Sequence, residues 1–131
     1  MLMTTVWVAI GGALGSVSRF WLAMTVARQL EEIFPWGTLS VNVLGSFIIG
    51  FTAVLTGPDG RLMVPSDARI FVIVGFCGGF TTFSTFSLQT LMLLRDGDFP
   101  RAGLNIAVSV AACLAAVWIG GVAAALINQS R

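Results

Sequence analysis

Histidine, lysine and tyrosine are absent from this chain, cysteine occurs twice, and charged residues make up only 10% of its 131 positions. Each shortage removes a class of chemistry. Cys77 and Cys113 lie far apart in apolar sequence. Without histidine they cannot assemble a zinc or iron–sulfur ligand cluster, so both thiols read as core residues. A soluble domain carries roughly 25% charged residues, and seven arginines with six acids cannot coat a surface that faces water. The net charge of +1 comes from scattered residues. It provides no basic run for nucleic acid or an anionic membrane surface, and no glycine-rich nucleotide motif is present. No catalytic constellation is expected.

Apolar sequence is abundant, at 56% of the residues. A membrane-spanning helix takes about 20 apolar residues, so this length holds four spans with short connections and forms one integral membrane domain. The runs fall at residues 4–27, 36–56, 68–94 and 102–127, separated by stretches that carry Pro35, Pro58 or Pro100 together with charge. The first run lacks the charged start of a signal peptide and is expected to remain a span. Small residues recur at helix-contact spacing in Gly11 and Gly15, Gly75 and Gly79, and the Gly120–Gly121 pair with Ala124 and Ala125. Such residues let membrane helices approach closely. The expected fold class is an all-α membrane protein of four transmembrane helices.

Orientation adds a second constraint. With four spans, Arg61, Arg69 and Arg131 fall on one side and Arg28, Arg95 and Arg101 on the other. Cytoplasmic loops normally carry the excess of Lys and Arg that sets topology, so an even division favours insertion in both orientations. A chain that inserts both ways can form an antiparallel dimer. Four short spans enclose little volume, which favours a pathway at the interface between two subunits.

The third run carries the most polar stretch, Gly75-Phe76-Cys77-Gly78-Gly79-Phe80-Thr81-Thr82-Phe83-Ser84-Thr85-Phe86-Ser87. Adjacent glycines weaken a helix by about 1 kcal/mol each relative to alanine, and the hydroxyls compete for backbone partners. An interruption is expected over residues 78–81. Irregular backbone at membrane depth is tolerated only inside protein or beside a water-filled cavity, and its freed carbonyls suit a small cation. Beyond the break, Phe80, Phe83 and Phe86 recur every three residues. They form either a packing ridge or a set of positive ring edges, which with hydroxyl donors makes a weak, multi-site anion path.

Asn42 with Ser46, and Asn105 with Ser109, stand four residues apart and so share one helix face each. They serve either interhelical hydrogen bonding or donation to a passing anion. Arg19 is the only charge in the interior of a span, Arg69 standing at the flank of the third, and such a position costs roughly 2.5–3.5 kcal/mol on insertion scales. It either draws anions into a vestibule or, as we expect, braces the broken helix through its carbonyls.

Taken together, the third-run motif, Gly11-Gly12-Ala13-Leu14-Gly15 leading to Arg19, and Asn42-Val43-Leu44-Gly45-Ser46 resemble the Fluc (CrcB) family of microbial fluoride channels. The resemblance extends over all four spans. It implies an antiparallel, dual-topology homodimer in the cell membrane, with two pores that export fluoride passively and a structural sodium ion on the dimer axis. It further implies that Phe83 and Phe86 are the paired pore phenylalanines and Asn42 the pore asparagine. Ser84, Thr85 and Ser109 belong to the polar track, the carbonyls of Gly78 and Thr81 hold sodium, and Arg19 is the first-span arginine. Phe20 departs from the Tyr expected after that arginine in many relatives.

Two rival classes frame this reading. A small dual-topology multidrug exporter couples transport to a membrane-embedded carboxylate, and none of the four runs contains one. A non-transporting assembly subunit would leave the concentration of hydroxyls in one span without a purpose.

Overall fold

The computed structural model describes residues 1–30 and 33–130. Among them every regular element is helical: α1 (Leu2–Gln29), α2 (Trp36–Leu55), α3 (Ser66–Ile70), a π-helical turn (Phe71–Phe76), α4 (Cys77–Phe80), α5 (Phe83–Arg95) and α6 (Phe99–Gln129). Four helical stretches are long and apolar enough to cross a membrane, the third being the composite Ser66–Arg95. These agree with the expected spans to within a few residues at each end, apart from α6, which begins earlier because Asp98 caps it. The Asp98 carboxylate accepts from the Arg101 N–H at 3.2 Å, and Gly97, at φ 76°, makes the turn that precedes it.

The distribution of side chains suits a lipid solvent. Leu14, Val17, Trp21, Leu114 and Trp118 are exposed, whereas buried positions are dominated by small or polar residues such as Gly15, Gly45, Ala102, Thr90 and Asn105. Lipid is as apolar as a leucine side chain, so helices associate through close packing and interhelical hydrogen bonds. Gly15 shows the packing. A Cβ there would meet the Phe76 carbonyl and come within 2.8 Å of the Phe80 N–H nitrogen, so α1 lies directly against the third span. Gly120 does the same between α6 and α2, where a Cβ would stand 2.9 Å from the Phe51 nitrogen.

The third span is broken, at the C-terminal edge of the expected stretch. Thr81 is extended with ψ 156°, Thr82 follows at φ −151° and ψ 111°, and the helix restarts at Phe83. Within that stretch Gly78 and Gly79 remain helical, and the irregular residues are Thr81 and the adjoining Thr82. Gly79 instead permits close approach, since a Cβ there would collide with the backbone of Gly12. The restart is made by Thr82, whose Oγ1 accepts from the Thr85 N–H at 3.2 Å as the cap of α5. The π-helical turn before α4 was not foreseen from composition. It runs along α1, where a Cβ on Gly11 would stand 2.6 Å from the Phe71 carbonyl oxygen and 2.9 Å from the Phe76 nitrogen.

Candidate functional site

The break exposes backbone groups that need partners at membrane depth, and α2 supplies them. Asn42 accepts from the Thr82 N–H at 2.7 Å through Oδ1 and donates Nδ2 to the Thr82 carbonyl at 3.1 Å. One side chain thus pairs both polar groups of one residue, and the donor on Thr82 dictates which way the amide faces. From α1, the Ser16 hydroxyl donates to the Gly79 carbonyl at 3.4 Å. The Cys77 carbonyl accepts from both the N–H and the hydroxyl of Thr81, at 2.9 and 2.8 Å.

Bracing from α1 therefore comes from Ser16 and not from Arg19, which corrects the expectation for that arginine. Among the described residues the Arg19 guanidinium makes no hydrogen bond or ion pair. One turn further along α1 than Ser16, it lies past the break and borders a cavity of about 270 Å³ with Ser16, Thr38, Thr82 and Thr85.

A larger groove of about 430 Å³ opens on the other side of the break. It brings together Asn42, Gly78, Thr81, Phe83, Phe86 and Ser109, which places six of the nine expected site residues in one space. Phe83 and Phe86 stand with ring centroids 5.3 Å apart and planes inclined at 50°. Their surroundings differ sharply. Phe86 is 9% exposed and wedged in the bundle, whereas Phe83 is 77% exposed and projects from it. Phe80, on the far side of the break, is buried and stacked on Phe76 at 5.5 Å. The threefold phenylalanine periodicity is therefore divided between core and groove.

Thr85 belongs to the arginine cavity, and Ser84 borders neither space, reaching Thr82 Oγ1 at 3.3 Å. Ser109 donates to Asn105 Oδ1 at 3.2 Å, Asn105 Nδ2 donates to Thr90 Oγ1 at 2.9 Å, and the Thr90 hydroxyl donates to the Phe86 carbonyl at 2.8 Å. This buried chain ties α6 to the backbone of Phe86. Asn105 accordingly performs the interhelical bonding that was one of its two readings. Among the described residues no hydrogen bond ends on the carbonyls of Gly78 or Thr81. Both residues line the groove, and carbonyl oxygens are the kind of ligand a hard cation takes. The described residues contain no cluster of three or more His, Cys, Asp or Glu.

Residue spacing had not singled out Ser16, Thr38 or Thr90, and it placed Thr82 only among the hydroxyls that lie between the phenylalanines. Thr82 carried a usable signal, a hydroxyl residue directly before a resumed helical run. Ser16 and Thr38 carried none, because their partners come from other helices. Gln89 is a further surprise: its Oε1 is buried without a hydrogen-bond partner among the described residues.

The geometry is that of a membrane bundle with a clamped helix break between an aromatic groove and an arginine-lined cavity. Comparison with known proteins agrees over almost the whole chain. The family profile described as "CrcB-like protein, Camphor Resistance (CrcB)" matches residues 6–121. A protein of Methylocella silvestris named "Fluoride-specific ion channel FluC" is 57% identical over 129 residues, covering 98% of both chains. Proteins of the same name from Opitutus terrae and Paramagnetospirillum magneticum are 60% and 56% identical, over 95% and 98% of this chain and 95% and 100% of their own lengths. This four-span membrane chain belongs to the CrcB family.

Proposed function

We propose that this chain is a fluoride channel that lets fluoride leave the cell passively, down its electrochemical gradient, and so limits fluoride toxicity. The observation that carries the reading is the meeting of Phe83, Phe86, Asn42 and Ser109 in one groove beside the helix break. The name its relatives carry supports the choice of ion.

The chemistry follows from the groups present. Arg19 raises the local anion concentration in its cavity, where the hydroxyls of Thr38 and Thr85 line the wall. In the groove, ring edges carry the positive end of the aromatic quadrupole. Asn42 has two amide hydrogens and Thr82 engages one, which leaves a second donor for an ion. None of the residues lining the groove carries a formal charge, so each contact is weak enough to release what it holds, as conduction requires.

The working unit in this reading is an antiparallel homodimer in the cell membrane with two pores. The open groove and the projecting Phe83 ring favour a second copy as its cover. The free carbonyls of Gly78 and Thr81 fit a sodium ion shared between copies, since one chain offers fewer oxygens than a hard cation takes. Bound there, sodium would supply a fixed positive charge that holds the two breaks together.

Purified protein in liposomes is expected to release fluoride, and not chloride, when a potassium-selective shunt balances charge. Absence of fluoride release from folded protein would refute the proposal.

A further inference from the structure

Among the described residues Thr82 alone lines both the aromatic groove and the arginine cavity. It forms the wall between them. Its backbone is held at both polar groups by Asn42, and its side chain is buried with 9% exposure. The part left free to move is the hydroxyl hydrogen. Thr82 Oγ1 accepts from the Thr85 N–H at 3.2 Å, and its one proton has two acceptors within reach, Thr85 Oγ1 at 3.0 Å and Ser84 Oγ at 3.3 Å. Thr85 borders the arginine cavity, while Ser84 stands outside it.

We propose that Thr82 is a further pathway residue, whose hydroxyl passes the anion between the arginine cavity and the aromatic groove. The inference rests on the fluoride reading above. An anion leaving Arg19 gives up its formal counter-charge before it reaches the ring edges, and the wall it crosses must present a donor at that point. The Thr82 O–H leaves Thr85 Oγ1, turns onto the ion, and returns to a threonine or serine oxygen once the ion has moved on. The Thr85 N–H anchors the oxygen throughout, so the donor pivots about a fixed point and neither helix end is displaced. No covalent bond changes. Because a small anion of high charge density gains most from a single O–H, this step also favours fluoride over a larger halide.

The test uses the full chain in liposomes at a dilution where vesicles hold one channel or none, so that the rate per active vesicle is read apart from the fraction active. Thr82→Ser keeps donor and cap and is expected to stay within about twofold of wild type, whereas Thr82→Val is expected to lose about tenfold or more in rate. Thr82→Asp retains the cap but places an acceptor-only carboxylate at the wall, and it is expected to silence flux at pH 8. Asp98→Ala, which removes the corresponding cap from α6, serves as the control for cap loss and is expected to conduct normally. A purely structural role would lower the fraction of active vesicles and leave the rate per vesicle unchanged. That result overturns the proposal, as does a folded Thr82→Val or Thr82→Asp with wild-type rate, or a Thr82→Ser as impaired as Thr82→Val. If Thr82→Val does not fold, Thr82→Asp decides. Wild-type protein without fluoride flux would overturn the channel reading and this inference with it; conducting wild type with unaffected variants would overturn this inference alone.

Discussion

Asn42 on α2 holds both backbone polar groups of Thr82, accepting its N–H at 2.7 Å and donating to its carbonyl at 3.1 Å. The two residues are 40 apart in sequence, and the pairing lets a transmembrane helix stop and restart inside the bundle.

Removing the clamp leaves two backbone groups without partners. Asn42→Leu is expected to cost about 1–3 kcal/mol for each buried group left unsatisfied and to abolish fluoride release, whereas Asn42→Asp retains only the acceptor half. Thermal melting in detergent together with liposome efflux checks both, and unchanged melting of Asn42→Leu would show that the break is held by other means.

The two groove phenylalanines are expected to behave alike in transport and differently in stability. Phe83→Ile and Phe86→Ile should both eliminate fluoride flux. Phe86 is 9% exposed and Phe83 77% within one chain, so the Phe86 substitution is expected to lower the stability of the subunit fold by about 1 kcal/mol, as repacking of a filled site, and the Phe83 substitution to weaken the contact with the second copy instead. Wild-type flux in both variants would refute a role for the ring edges.

Arg19 makes no hydrogen bond among the described residues, so Arg19→Met is expected to fold normally while conducting less. The deficit should be largest at low ionic strength, because added salt screens the field that the arginine supplies. Ser16→Ala removes the bond to Gly79 and is expected to cost about 1 kcal/mol with flux nearly intact. Equal flux loss in the two variants would mean that Arg19 acts structurally.

Close packing of α1 on the third span depends on Gly15, where an added Cβ would meet the Phe76 carbonyl. Gly15→Val is expected to destabilise the bundle by about 1–3 kcal/mol, as overpacking does. A melting temperature equal to that of wild type would contradict the contact.

Dual topology is tested by labelling. A single cysteine introduced at Asp59, in the connection between α2 and α3, with Cys77 and Cys113 replaced, is expected to react with impermeant reagent from both sides of the membrane. One-sided labelling would exclude an antiparallel dimer.

The lipid solvent and the four spans followed from the sequence, because burial in a membrane depends on transfer free energies that each residue carries by itself and that simply accumulate along a run. The same local logic marked the third span as discontinuous and noted the threefold spacing of Phe80, Phe83 and Phe86 and the buried amides of Asn42 and Asn105, while the choice of Phe83, Phe86 and Asn42 among them came from the family resemblance. Their partners lay beyond its reach. Tertiary structure decided that Asn42 pairs with Thr82, that Ser16 and not Arg19 braces Gly79, and that Phe80 belongs to the core while Phe83 projects into the groove. It also decided where within the expected stretch the chain leaves the helix, at Thr81 and Thr82, with Gly79 still helical and packed on the Gly12 backbone. A hydrogen bond between helices depends on the depth and rotation at which they dock, and those emerge only when all the packing contacts are satisfied together.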